Sequence, residues 1–386
     1  MDFDLTAEQV ALVDLAAKIA DERFAPQTLE WDRAYTFIPD EDRAFLANQG
    51  FFGMTLPADV GGGEAELLDA LLVIEQLAKR NQVASFQVFE ATTGAARVID
   101  LHGTPEQRQR FLPDIAQGKK TMAVSISEPE AGSAATDMTT RARRDGDGYV
   151  LNGVKRWCSG GGHAELYLVY VRLAETPGAK GIGAIVVEAG TEGFTYGPQE
   201  RMMGFHGIPS ADLFFDDVRV PAENLVIDAG GFGKLFSTFS IERLGNATHS
   251  VAIGQACLDR ASKFVQERSQ FGRELVEFQA VQLALADMIV DVEAARLLLY
   301  RAAARAGRGA PDPYEASVAK TFANDMAKRV SESAVQLLGG YGYHPDYHVE
   351  RHHRDAQGWA IAGGTRTMQR LRIASSYLGR RFDLRR

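Results

Sequence analysis

Three regimes of hydrophobic patterning follow one another along the chain. Up to about residue 120, apolar positions recur at helical spacing. "TAEQVALVDLAAKIADERF" opens on Thr6 with Gln9 three residues on, a capping box ahead of an apolar stripe. "LLDALLVIEQLAKR" and "GTPEQRQRFLPDIAQGK" predict two further helices, and "MTLPADVGGG", with Pro57 and three glycines, a loop. The runs then shorten. "TMAVSIS", "GYVLNGVKRW", "AELYLVYVRL", "GIGAIVVEAG" and "ADLFFDDVRV" are β-rich segments separated by Gly, Asp and Asn, and "RRDGDGY" predicts a tight hairpin. From residue 233 the helical period returns. Leu244, Ala247, Val251, Gly254, Leu258, Ala261 and Val265 recur at steps of three and four. Phe278, Val281, Leu285, Met288, Val292, Ala295 and Leu299 repeat the pattern, as do Ala319, Ala323, Met326, Val330 and Leu337. "TRTMQRLRIASSYLG" opens a fourth stripe, and such stripes are the seams of a four-helix bundle. The pattern predicts an α+β multi-domain chain. Its parts are an N-terminal helical domain over 1–120, a middle antiparallel β domain over 121–232 and a C-terminal four-helix bundle over 233–386.

Composition narrows the functional classes. The 386 residues are 45% hydrophobic and 24% charged, ordinary for a globular protein with a substantial core. A formal net charge of −9 argues against nucleic acid, whose phosphates need a basic face. The two cysteines, Cys158 and Cys257, lack metal spacing and cannot form a disulfide framework; Cys257 falls on an apolar stripe and is expected to be buried. No apolar run reaches the length of a membrane span, and the acidic, amphipathic start resembles neither a signal nor a transit peptide. A soluble chain in a reducing compartment is expected, most simply the cytoplasm. His249, His344, His348, His352 and His353 show no ligand set at metal spacing, so no metal is expected.

Six segments hold the candidate chemistry: "ISEPEAGS" (126–133), "NGVKRWCS" (152–159), "ERSQFGRELVEFQAVQ" (267–282), "VQLLGGYGY" (335–343), "VERHHRDA" (349–356) and "GGTRTMQRLRIA" (363–374). Gly and small residues in the first let backbone approach a ligand. The second sets an aromatic beside a hydroxyl at a strand end. An Arg between two helices is either a solvated cap or a phosphate ligand. In this order, over nearly the whole chain, the segments resemble the acyl-CoA dehydrogenase family. The resemblance implies FAD as cofactor. Ser127 and the rest of its loop would lie along the flavin, with Ser133 also touching the pantetheine–phosphate part of CoA. Trp157 would pack on the flavin ring, and Ser159 would bond its hydride-accepting nitrogen. Arg268, with Phe271 and Gln279, would hold the FAD pyrophosphate. Gln336, Gly339 and Gly340 would reach the FAD of a neighbouring subunit, which implies a homo-oligomer, most often a tetramer. Thr365 and Thr367 belong to the last cofactor-binding segment. This sequence departs from the family pattern at Ala134, where Asp is usual, and at Gly160–Gly162, where Asn is usual after the hydroxyl.

The remaining departure concerns the proton. Removing a proton alpha to a thioester needs a carboxylate in a dry pocket and donors aimed at the thioester oxygen. Much of the family carries that Glu just before Gly-Thr; here "IAGGT" has Gly363, which keeps its backbone N–H for the thioester oxygen. Isovaleryl-CoA dehydrogenase and some long-chain relatives instead carry the base in a Glu-Arg pair on the first bundle helix. Glu242-Arg243 in "FSTFSIERLGNATHS" matches that pair. Glu242 is the expected base, and Arg243 a ligand of the CoA nucleotide. The expected activity is FAD-dependent α,β-dehydrogenation of an acyl-CoA, with a lean to branched or short chains and electron-transfer flavoprotein as acceptor. An acyl-carrier-protein thioester dehydrogenase, a flavin monooxygenase of the same fold and a non-catalytic subunit of a hetero-oligomer remain as alternatives.

Overall fold

A computed structural model describes residues 4–380 and 382. The N-terminal part is helical: α1 (Ala7–Ile19), α2 (Thr28–Ala34), α3 (Asp40–Asn48), α4 (Leu67–Arg80), α5 (Gln82–Thr93), α6 (Ala96–His102) and α7 (Pro105–Ala116). Capping boxes start α1 at Thr6 with Gln9 and α7 at Thr104 with Gln107. The helix α5 was not apparent from periodicity, because all but one of its residues are buried and no polar face marks its repeat.

The strands β1 (Met122–Ser125), β2 (Arg141–Asp145), β3 (Gly148–Ser159), β4 (Leu166–Arg172), β5 (Ile182–Glu188), β6 (Phe194–Tyr196), β7 (Ser210–Pro221) and β8 (Leu225–Ile227) form one sheet. Its order is β6-β7-β3-β2-β4-β5-β8, with β1 on β4. The predicted hairpin joins β2 to β3, with Asp145 opposite Gly148 and Gly146 at φ +62°. Two pairings correct the all-antiparallel expectation: β1 and β2 both run parallel to β4. A long loop, 126–140, follows β1, so no tight turn forces reversal. In β4, Leu166, Leu168 and Tyr170 belong to the helical core, while Tyr167, Val169 and Val171 belong to the core of the β domain. Burial on both faces explains its unbroken apolar run.

The C-terminal part begins with α8 (Phe232–Glu267), followed by the short hairpin β9 (Ser269–Gln270) and β10 (Arg273–Glu274). Then come α9 (Gln279–Ala306), α10 (Pro313–Leu338), α11 (Val349–Trp359) and α12 (Arg366–Tyr377). Buried seams on α8 and α10 follow the expected stripes, except that Leu338 rather than Leu337 is the buried end of the one on α10. On α9 the stripe is buried only from Met288 onward. The fourth seam differs from expectation: α12 buries only Gln369, and Val349, His352, Ala356 and Trp359 of α11 fill the core instead. Both cysteines are free and buried.

Candidate active site

Glu242 lies about three turns into α8, a helix whose length sets its register firmly. The residue is half-buried, but its Oε2 is fully buried and has no hydrogen-bond partner among the described residues. Burial pushes the carboxyl up to about 8, against the attraction of Arg243 and Lys320. Arg243 is 2% exposed and donates to the Phe236 carbonyl and Ser240 Oγ, both at 3.3 Å, while its Nε has no partner. Burial, and then Arg372, lower its pKa to about 9. The Tyr170 hydroxyl, buried and unpartnered, is raised by the same burial and by Glu242.

Gly363 comes to the same place from the other side. Its φ is +69°, and a Cβ built there would meet Lys320 Cε at 3.3 Å and Asn246 Nδ2 at 3.8 Å. Asn246 is one helical turn beyond Glu242, so a side chain at 363 would enter the wall that carries Glu242. Lys320 and Asn246 also fix the loop. Lys320 Nζ donates to the carbonyls of Trp359 (3.5 Å) and Gly364 (3.1 Å), and Asn246 Nδ2 to those of Trp359 (3.0 Å) and Ala362 (3.2 Å). Burial and Arg243 lower Lys320 to about 7. The Gly363 N–H has no acceptor among the described residues. Thr365 caps α12 by accepting from Met368 N, and Thr367 is exposed beside it.

The loop 126–133 is held by a pair that the motif reading passed over. Glu128 accepts from the backbone N–H groups of Thr139 (2.6 Å) and Thr140 (2.9 Å) and from Lys155 Nζ at 2.9 Å. Burial opposes its charge, but Lys155 and these donors hold it at about 2. The Ser127 carbonyl accepts from Arg156 N at 2.8 Å, which sets the loop along the end of β3, with Ser133 exposed. There the register against β7 shifts between Lys155 and Cys158, a bulge that turns Trp157 outward. Trp157 has φ +59° and is 50% exposed, covered on one side by Arg156 at 4.1 Å. Ser159 follows two residues on, half-buried, opposite Ser210.

Arg268, Phe271 and Gln279 form a separate exposed patch at the end of α8 and the start of α9. Phe271 is 93% exposed at φ +53°, and Arg268 has no ion pair among the described residues. The Arg268 guanidinium stands 5.7 Å from the Tyr341 ring, so Gln336, Gly339 and Gly340, all exposed, end α10 next to it. One chain therefore brings these residues together.

Sequence reasoning missed Glu90, Lys320 and Tyr170. Glu90, on α5, is the only charged residue between Arg80 and Arg97, a signal that could have found it. It lines a cavity with Phe86, Gln87, Ala123, Gly160 and His163. Burial, and then Glu242, raise its pKa well above the usual carboxylate range. Lys320 sits one turn from Ala316 on the buried stripe of α10, an unusual place for a lysine.

The family models for the acyl-CoA dehydrogenase N-terminal, middle and C-terminal domains match residues 6–119, 123–218 and 229–378. The 3-sulfinopropanoyl-CoA desulfinase of Variovorax paradoxus is 38% identical over 385 residues, covering 98% of this chain and 96% of that protein. A probable acyl-CoA dehydrogenase, FadE25, of Mycobacterium tuberculosis is 38% identical over 378 residues, covering 97% of each. The structure of butyryl-CoA dehydrogenase from Megasphaera elsdenii superposes with a TM-score of 0.94 at 36% identity, over 98% of this chain and 100% of that one. With all three of its parts matched in order, the chain belongs to the acyl-CoA dehydrogenase family, flavoprotein oxidoreductases that act on acyl-CoA.

Proposed function

We propose that this protein is an FAD-dependent α,β-dehydrogenase of an acyl thioester in which Glu242 takes the alpha proton. The observation that carries the reading is the convergence of Glu242 and the side-chain-free position 363 on one wall. The residues fit a flavin. An outward-turned Trp157 offers a ring face, Ser159 and Ser127 offer hydroxyls beside it, and Arg268 of a second copy, without a carboxylate partner among the described residues, suits a pyrophosphate. Bound there, FAD supplies the acceptor for the beta hydride. Glu242 Oε2, which has no hydrogen-bond partner among the described residues, is available to the incoming proton. The unpaired Gly363 N–H is a preorganised donor for the thioester oxygen, on which charge develops as the alpha proton leaves. Lys320 and Asn246 keep that donor in place through the loop carbonyls. Arg268, Phe271, Gln279 and the 336–340 turn would close the cofactor site of a second copy, and electron-transfer flavoprotein would be the oxidant.

The likeness to a 3-sulfinopropanoyl-CoA desulfinase does not bring that substrate with it.

The test is anaerobic flavin bleaching by acyl-CoA thioesters. Glu242→Gln preserves shape and removes proton affinity. It should retain flavin and bind thioester while reducing its flavin at least ~100-fold more slowly, the scale of general-base loss. Reduction at the wild-type rate with a good substrate would sink the assignment.

A further inference from the structure

The loop that presents the Gly363 N–H rests on two successive glycines. Gly363 and Gly364 have φ +69° and +95°, and neither carries a side chain to anchor it. The loop is instead held from outside, through its carbonyls. The Ala362 carbonyl and the Gly363 N–H belong to one planar trans peptide, so they point in opposite directions. The bond from Asn246 Nδ2 to the Ala362 oxygen (3.2 Å) therefore also sets where the Gly363 N–H is aimed. On the other side, Lys320 Nζ holds the Gly364 carbonyl at 3.1 Å.

Both clamps lead back to one residue. Asn324, one turn beyond Lys320 on α10, is fully buried, as are Lys320, Asn246 and Ser250. Its Oδ1 accepts from Lys320 Nζ at 3.0 Å. Its Nδ2 donates to Asn246 Oδ1 at 3.0 Å and to Ser250 Oγ at 2.8 Å. These bonds admit a single polarity. An ammonium only donates, so Asn324 must turn its oxygen to Lys320 and its N–H groups to Asn246. Asn246 must then meet it with oxygen, which leaves the Asn246 Nδ2 for the carbonyls of Trp359 and Ala362. A carbonyl only accepts, so both ends of the chain of bonds agree. Turning either amide over would oppose like atoms in a buried place, where an unmade hydrogen bond is costly.

We propose that Asn324 is the positioning residue of the thioester-oxygen donor: by orienting Asn246 and Lys320 together, it aims the Gly363 N–H. It acts through those two side chains and not on the reacting atoms. The inference rests on the reading of that N–H as the donor to the thioester carbonyl in a Glu242-based dehydrogenase.

The experiment reverses the polarity at one point. Asn324→Asp keeps the volume and still accepts from Lys320, but cannot donate. Asn246 would have to turn over, setting its oxygen against the Trp359 and Ala362 carbonyls. The added charge acts on Lys320, so Asn324→Ala supplies the neutral comparison. Ser250→Ala removes a bond of the same network that does not lead to the loop. Each flavin-loaded protein is compared for binding of butyryl-CoA and of its thioether, S-butyl-CoA, which has no carbonyl oxygen. Binding, and the infrared band of butyryl-CoA isotope-labelled at the thioester carbonyl, are measured in the Glu242→Gln background. Flavin reduction by butyryl-CoA is measured with Glu242 in place.

Both Asn324 substitutions should lower the ratio of thioester to thioether affinity roughly three- to tenfold, the worth of one hydrogen bond. The carbonyl band should return towards its position in free butyryl-CoA. Flavin reduction should slow on the order of 10- to 100-fold, at or below the cost of losing a whole donor. Ser250→Ala should leave ratio and band as in wild type; if it moves them as far as the Asn324 substitutions do, the effect is general packing and the assignment is overturned. If folded Asn324 variants keep the wild-type ratio and band, this inference fails while the dehydrogenase reading stands. If neither retains flavin and a native far-UV circular dichroism spectrum, Asn324 belongs to the fold and the positioning role is likewise overturned. If butyryl-CoA neither bleaches the wild-type flavin nor shows a shifted carbonyl band when bound, the dehydrogenase reading falls and takes this one with it.

Discussion

Glu242 and Lys320 are coupled across a few side chains, and their coupling sets a pH profile. The Glu242 carboxyl must be ionised to accept a proton, and burial raises its pKa to about 8 in the free protein. Acyl-CoA-driven flavin reduction, expressed as kcat/KM, should therefore rise close to tenfold per pH unit below that value and level off above it. Lys320 works in the opposite direction to burial by favouring the ionised carboxyl. Removing it in Lys320→Met should shift the inflection to higher pH. The same substitution should lower stability by about 1–3 kcal/mol, because buried loop carbonyls lose a donor. A stopped-flow pH series separates the two effects: a merely structural lysine would reduce amplitude and leave the inflection where it was. Residues of this kind were the least legible in the sequence. Glu242 could be singled out because Gly363 left a chemical vacancy. Lys320 and Glu90 carried weaker signals, a lysine on an apolar stripe and a lone charge in an uncharged run, and their meaning lies in neighbours supplied by distant helices.

At the scale of elements, periodic patterning found the long stripes of α8, α9 and α10 and missed α5 and α11. The seams of α8 and α10 were readable residue by residue, whereas α5 is buried nearly all round and gives no moment. The bulge at Lys155–Cys158 was also hidden, although the motif it displays was not. A residue count cannot reveal a register slip, and only pairing with β7 shows that Trp157 is turned outward. The contact of α5 with α8 sets the helix that carries Glu90 against the one that carries Glu242. At Gly245 a Cβ would stand 2.5 Å from Phe89 and 2.7 Å from Thr93, so the two helices meet there at glycine distance. Gly245→Ala should push α5 away and destabilise the fold by ~1–3 kcal/mol, as overpacking does. Chemical denaturation would register the loss; a variant as stable as wild type, with unchanged thioester affinity, would mean the helices have slack that the structure does not show.

At the scale of the molecule, the first half of α9 is incomplete as a single chain. Leu283 is 67% and Val290 68% exposed, with Ile289 between them and Phe271 beyond the turn. Apolar side chains exposed along one helix are the mark of a surface made for another chain. The double substitution Leu283→Glu with Val290→Glu should convert a homo-oligomer into smaller species in sedimentation. It should also loosen flavin if the neighbouring patch at Arg268 serves a second copy. Wild type sedimenting as a monomer would remove this expectation. No helix among the described residues is long and apolar enough to cross a membrane, so this apolar surface is not explained by a span.

The two-faced strand β4 has a further consequence, for how the molecule comes apart. One of its faces closes the helical core and the other closes the β core. The segments matched by three separate family models thus share a wall, and they are not three detachable parts. An excised middle segment would present Leu166, Leu168, Tyr170, Ile182, Ala184 and Val186 to water as one apolar sheet face. Melting of either core exposes the other, so heat should find no soft seam between them, and the pocket at their junction loses its shape only when the whole molecule does.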